Sequence, residues 1–172
     1  FRDRRDGKFK LITRIWRNNL RLSALSESTD FINWSEPKEI LRGWGFESQV
    51  YSMPVFPVGD IYLGLASMFH EGDRTAPNFD TVDCELTYAT KLDVFDFVEP
   101  GASFIPRGTG HYPDGEFDCG CVYSAAPLEI DGKLCFYYMG GNGQHTNYRE
   151  TSFGRAFLEK DKYAYLSQRN SA

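Results

Sequence analysis

Three carboxylates stand at matched places in the chain. Asp3 in "FRD" (1–3), Glu47 in "FE" (46–47) and Asp118 in "FD" (117–118) each follow an aromatic by one or two residues. The second and third open longer phrases of one design, "FESQVYSMPVFPVGDIYLG" (46–64) and "FDCGCVYSAAPLEIDGKLCFYYMGG" (117–141). Carboxyl groups gathered from distant positions raise one another's pKa, so that one can donate a proton while another stays ionised. Two such groups flanking a bond are what acid–base cleavage of a glycosidic linkage needs. Other side chains in the same phrases suit a sugar. Tyr51, Tyr123 and Trp44 offer ring faces for stacking, and His145 in "GGNGQHTN" follows a Gly-rich turn that could face a hydroxyl. Each has a plainer use: core packing for the aromatics, a rim position for Glu47, and a turn cap beside Gly120 for Asp118. His70 and His111 lie in loops with little to single them out.

The elements that must position these residues read as strands. Apolar stretches such as "KFKLI", "YLGLASMF", "CELTYA" and "LEIDGKLCFYY" are short, rich in β-branched and aromatic residues, and bounded by Gly, Asp, Asn or Pro. Asp-Gly in "IDGK" and "RDGK", and Gly-Asp in "PVGDIY", mark hairpin turns. The best helix candidate, 152–168, contains Gly154 and Asp161-Lys162 and reads instead as two strands around a turn. A second shared phrase follows the first two copies: "LSESTDFINWSEP" (25–37) and "LTYATKLDVFDFVEP" (86–100) both run from Leu through a polar turn and an aromatic to Glu-Pro. A repeating unit of this size with four short strands predicts an all-β fold, a β-propeller of four-stranded antiparallel blades. About three blades are expected, over 1–45, 46–115 and 116–172, in one partial propeller domain. The alternative is a β-sandwich whose hairpins look alike by chance. In a propeller, equivalent starts of inner strands converge on one mouth, which would make Asp3, Glu47 and Asp118 neighbours.

Composition narrows the classes. At 172 residues, the chain is about one domain. Its 41% hydrophobic and 16% aromatic content excludes disorder. No apolar run approaches the roughly 18 residues of a membrane helix. The sequence opens in mid-pattern, with neither an initiator Met nor a signal-peptide pattern, and reads as a fragment or processed chain. Net charge is −5, yet residues 1–21 hold eight basic residues against Asp3 and Asp6, an excess of +6 that leaves −11 for the remainder. The excess reads as a solvated face, with Lys8 and Lys10 alternating against Phe9 and Leu11, and not as a nucleic-acid patch. Cys84 and Cys135 read as small buried residues, and the Cys119-x-Cys121 spacing is not that of a zinc site. "NFDTVDCE" (78–85) spaces Asp80, Asp83 and Glu85 as oxygen donors for calcium. It lacks the glycine and spacing of an EF-hand loop. Asp83 and Glu85 also read as the outward face of a strand, and no cofactor is expected. No phosphate loop and no nucleophile elbow is present.

The phrases "FRD…DGKFKL…LSALSESTDFINWSEPKEIL" and "FDCGCVYSAAPLEIDGKLCFYYMGGNGQH…FGRAFLEKDKYAYL" resemble the glycoside hydrolases with a five-bladed β-propeller. These are the invertase-, levansucrase- and arabinanase-like enzymes of families 32, 43 and 68. Ser28, Asp30 and Trp34 resemble the family's Ser-x-Asp-x-x-x-Trp phrase. Asp118, Gly120, Tyr137, Tyr138, Gly140, Gly141, His145, Gly154 and Ala156 resemble a last blade. The resemblance implies a carbohydrate partner in a central pocket, with Asp3 and Asp118 as stabilising or nucleophilic carboxylates and Glu47 as general acid. Arg2, Tyr51, Tyr123 and His145 would bind substrate. By apolar run alone, Tyr51 aligns with the family's acid, four residues past Glu47. The resemblance also implies absent first blades, so that further sequence or a second copy would cover the exposed blade faces. A non-catalytic propeller that binds a glycan or a protein is the other reading; neither a nucleic acid nor a membrane partner is expected.

Overall fold

The computed structural model describes residues 1–164. They form thirteen strands, with no helix among the described residues. The first sheet contains β1 (Phe9–Arg17), β2 (Leu20–Ser28) and β3 (Lys38–Arg42) in that order. Asn18 and Asn19, at φ 51° and 61°, join β1 to β2. This two-residue primed turn is one that asparagine tolerates. Arg2 pairs with Phe9 across the "RDGK" turn, so a short leading segment lies alongside β1.

The second unit runs β4 (Gln49–Ser52), β5 (Val55–Val58), β6 (Ile61–Phe69), β7 (Val82–Ala89), β8 (Asp96–Phe97) and β9 (Ser103–Ile105). β4 and β5 both pair with β6, and β8 and β9 both pair with β7, so the unit is an antiparallel meander with two broken outer strands. The third repeats the plan: β10 (Cys121–Ser124) and β11 (Leu128–Ile130) both pair with β12 (Lys133–Gly141), which pairs with β13 (Thr151–Glu159). The breaks fall at Met53-Pro54 and Ala125–Pro127, where proline has no N–H for the ladder. The twice-written phrase therefore encodes one device, a broken first strand turning into a long second one. Asp131-Gly132 makes the turn of the third unit and Gly59 that of the second, all at positive φ. The two units touch where Val82 N–H donates to Gly120 O at 3.1 Å.

Strand β6 is buried on both faces. Tyr62, Ala66 and Met68 pack with Ile40 and Leu41 of the first sheet. Leu63 and Leu65 pack with Val122, Leu134 and Phe136 of the third unit. Each fully buried Leu or Phe contributes about 1.5–3 kcal/mol, and these interlayer contacts hold the three units together. An all-β fold of stacked meanders is compatible with a partial propeller.

Two local expectations are corrected. Lys10 is buried at 5% exposure while Leu11 is exposed, the reverse of a solvated basic face. Its Nζ pairs with Asp6 at 2.6 Å and with Glu27, which neutralises it inside the sheet. Asp83 and Glu85 do not face outward either: Asp83 is held between His70 and Arg107, and Glu85 is 1% exposed. In the 152–168 stretch, β13 ends at Glu159 and turns at Asp161, while most of the second strand expected there falls outside the described residues. The Ser28–Trp34 phrase is a turn between β2 and β3. Asp30 accepts the N–H groups of Ile32 and Asn33 at 2.9 and 2.8 Å, which holds its carboxyl far below the usual range.

Candidate functional site

The two Val-Tyr-Ser copies meet. Tyr51 on β4 and Tyr123 on β10 approach to 5.7 Å between ring centroids. Phe69, the last residue of β6, stands edge-on to Tyr51 at 6.3 Å. His145, from the loop after β12, enters between them with its ring 4.7 Å from Tyr51 and 4.8 Å from Phe69. Tyr123 Oη lies 2.6 Å from His145 Nδ1.

The loop that delivers His145 is held by Asp80. Asp80 is buried, at φ 60°, and its carbonyl accepts the His145 N–H at 2.6 Å. Its carboxylate accepts the Thr146 N–H at 3.2 Å and the Thr146 hydroxyl at 2.5 Å. Arg149 closes the loop from the other side, donating to His145 O at 2.5 Å. Gly120 and Gly143 let the two backbones touch here, since a Cβ on Gly120 would collide with the Gly143 carbonyl.

Burial acts on both partners of this bond. Burial, reinforced by Cys121, pushes the Tyr123 hydroxyl far above its ordinary value, so it stays protonated and can donate to Nδ1. With Tyr123 as the donor, Nδ1 accepts and Nε2 carries the hydrogen. Burial lowers the His145 pKa, the guanidiniums of Arg149, Arg21 and Arg14 lower it further, and Asp80 opposes them. Arg14 stacks over Tyr51 with Cζ at 4.5 Å from the centroid. Arg21 lies 4.5 Å over Trp16 and 4.8 Å over Phe69. It is paired with Glu71 at 2.7 Å, and Gln49 bridges the two. The result is a half-buried aromatic surface around a neutral imidazole, rimmed by arginines.

The other predicted residues lie elsewhere. Asp3 is buried, accepts the Tyr62 hydroxyl and the Arg5 N–H, and closes the first hairpin turn. Tyr62 is at the start of β6, whereas Glu47 packs on Gly72, beyond its end. A nine-residue strand is about 25 Å long, so Asp3 and Glu47 sit at opposite ends of the sheet and do not share a mouth. Asp118 is at the Glu47 end but turned away, accepting the Tyr138 hydroxyl at 2.8 Å. Burial and this bond push Tyr138 up to about 12. Arg2 donates to Gly7 O at 2.8 Å within its own turn. Of the candidates, Tyr51, Tyr123 and His145 come together.

Glu47 lines a second cleft, of about 410 Å³, with Trp44, Ser48, His70, Glu71, Asp73, Asp83 and Glu85. Burial raises the Glu85 pKa, with the Gly101 N–H opposing. Burial also pushes Asp83 upward, but His70 at 2.6 Å and Arg107 at 2.6 Å outweigh it and hold the group ionised. Asp80, Asp83 and Glu85 thus have separate partners and do not point at one centre. A third cleft, of about 510 Å³, is lined by Arg107, His111, Tyr112, Asn142, Gln144, Asn147 and Tyr148. All four cysteines are buried free thiols.

Sequence reading missed Arg14, Arg21, Phe69, Asp80 and Arg149 as members of this cluster. The N-terminal arginines were visible only as a charge excess. Asp80 carried a signal, an acid before "TVD", but its partner lies 66 residues away.

No family model and no curated protein matches the chain. Solved structures do. Zg3597, a family 117 glycoside hydrolase produced by the marine bacterium Zobellia galactanivorans, matches with TM-score 0.61 at 20% identity, over 84% of this chain and 40% of that one. Another glycoside hydrolase matches with TM-score 0.54 at 16% identity, over 71% of this chain and 36% of that one. A BT0996–RGII complex matches with TM-score 0.58 at 14% identity, over 93% and 42%. The chain spans about two fifths of the length of these structures. At such identities the likeness is one of fold alone: the chain shares the all-β fold of part of these structures.

Proposed function

We propose that the chain is the glycan-binding part of a glycoside hydrolase-like propeller, and that the sugar rests on Tyr51, Tyr123 and His145. The observation that carries this reading is the convergence of the two Val-Tyr-Ser copies on one imidazole. Stacking faces plus a fixed ring N–H donor are the usual equipment for a sugar's apolar face and its hydroxyls. The three units are read as blades over 1–45, 46–115 and 116–172. Asp3, Glu47 and Asp118 lie outside the aromatic cluster, which favours binding over cleavage there.

The test is calorimetry against a panel of furanoside and pyranoside oligosaccharides. The parent chain is expected to bind at least one, and Tyr51→Ala to weaken that binding about tenfold or more. Equal affinity in the variant would remove Tyr51 from the site, and no binding by the parent would defeat the reading.

One observation favours a second reading, hydrolysis in the acidic cleft. There Glu85, whose pKa is raised by burial, shares the walls with ionised Asp83 and with Glu47. One protonated and one ionised carboxyl are the pair such chemistry uses. Hydrolysis by the parent that disappears in Glu85→Gln or Glu47→Gln would establish it; activity surviving both would exclude it.

A further inference from the structure

We infer that the glycan taken by this site is anionic, carrying a carboxylate or sulfate that sits against Arg14. The inference rests on the glycan reading above and adds the class of ligand.

The N-terminal basic residues are otherwise accounted for. Lys8, Lys10, Arg17 and Arg21 pair with carboxylates. Arg2 and Arg5 donate to backbone carbonyls. Arg4 lies in the exposed first turn. Arg14 alone combines an aromatic seat in the candidate site with no carboxylate or carbonyl partner among the described residues. Its Cζ sits over the Tyr51 ring, and its N–H groups make no hydrogen bond among the described residues. A planar fork of that kind matches a carboxylate or sulfate with two parallel hydrogen bonds.

The surroundings agree in sign. Arg14, Arg21 and Arg149 face the imidazole, and the carboxylates nearby are already engaged: Glu71 by Arg21 and Gln49, Asp80 by Thr146. One positive charge is left over beside the half-buried rings, and Arg14, which carries it, is exposed to an incoming ligand. A neutral sugar would need only the rings and the hydroxyl-directed donor. The exposed Trp16, beneath Arg21, extends the stacking surface toward the same charge.

The experiment is calorimetry of the 172-residue chain against oligosaccharide pairs that differ only in charge. One pair is oligogalacturonate and its carboxyl-reduced form; the other is a sulfated galactan oligosaccharide and its desulfated form. At low salt the charged member of one pair is expected to bind about 10-fold tighter, the effect of one charge-assisted hydrogen bond. The preferred pair tells carboxylate from sulfate. The charged-to-neutral ratio should fall in high salt, as screening by the added ions weakens the contact, and approach one in Arg14→Gln. Neutral members binding as tightly as charged ones would overturn the inference and leave the glycan reading intact. So would a charge preference that persists in Arg14→Gln. Failure of every member to bind the parent would overturn both.

Discussion

Replacing Tyr123 with Phe isolates the hydrogen bond at the centre of the site. The substitution keeps the ring that Tyr51 packs against and deletes only the hydroxyl, whose oxygen is 2.6 Å from His145 Nδ1. The deleted group is a protonated donor, and the acceptor left behind is a half-buried ring nitrogen. Removing one partner of such a bond removes about 1–2 kcal/mol of stability. For a chain of this length that lowers Tm by roughly 3–6 °C. A donor to Nδ1 also favours the neutral imidazole, so its loss should raise the His145 pKa, against the lowering that burial and Arg149 maintain. Urea unfolding reads the first effect. An NMR titration of the imidazole resonances, assigned with His145→Gln, reads the second. Stability unchanged within about 0.3 kcal/mol, together with an unmoved imidazole pKa, would refute the claim that Tyr123 fixes His145.

The same depressed imidazole pKa sets a pH dependence. Below pH 6.5 the unfolded chain takes up a proton that folded His145 does not, so stability falls as pH drops from 6.5 toward the folded pKa; unfolding at stepped pH should show that slope in the parent and not in His145→Gln. Asp80→Asn keeps a side chain that tolerates the left-handed backbone but weakens acceptance from Thr146. It should lower stability by about 1–2 kcal/mol and speed hydrogen exchange at the Thr146 amide, while leaving β1–β3 protected. Gly64→Ala would place a Cβ 2.5 Å from Thr87 Oγ1 and 2.9 Å from Met53 Sδ, and should lower stability in urea unfolding by about 1–3 kcal/mol.

The all-β character and the repeated hairpin were legible in the sequence because both are local. "VYSMP" and "VYSAAP" carry strand formers, then a proline that must interrupt the ladder, then a Gly–Asp or Asp–Gly turn. The aromatic members of the site were legible for the same reason, since equivalent places in equivalent units face equivalent directions. The acids were not, because their side chains answer to partners far off in sequence. Asp3 is taken by Tyr62 and Asp118 by Tyr138, and a tyrosine hydroxyl in a strand gives no sign of which carboxylate it will reach. Lys10 was misread because a buried lysine looks like a solvated one until Asp6 and Glu27 are seen to surround it. Resemblance to hydrolases of families 32, 43 and 68 pointed to the right kind of fold, while the solved neighbours include one of family 117.

The chain holds three histidines, and they fall one to each of the three regions described above: His145 in the aromatic cluster, His70 in the acidic cleft and His111 in the third cleft. An NMR titration of the three imidazoles with the best-binding oligosaccharide therefore reports directly where the sugar sits. The account predicts that the His145 resonances move in step with occupancy while those of His70 and His111 stay still. Movement of His70 or His111 with His145 unchanged would contradict it.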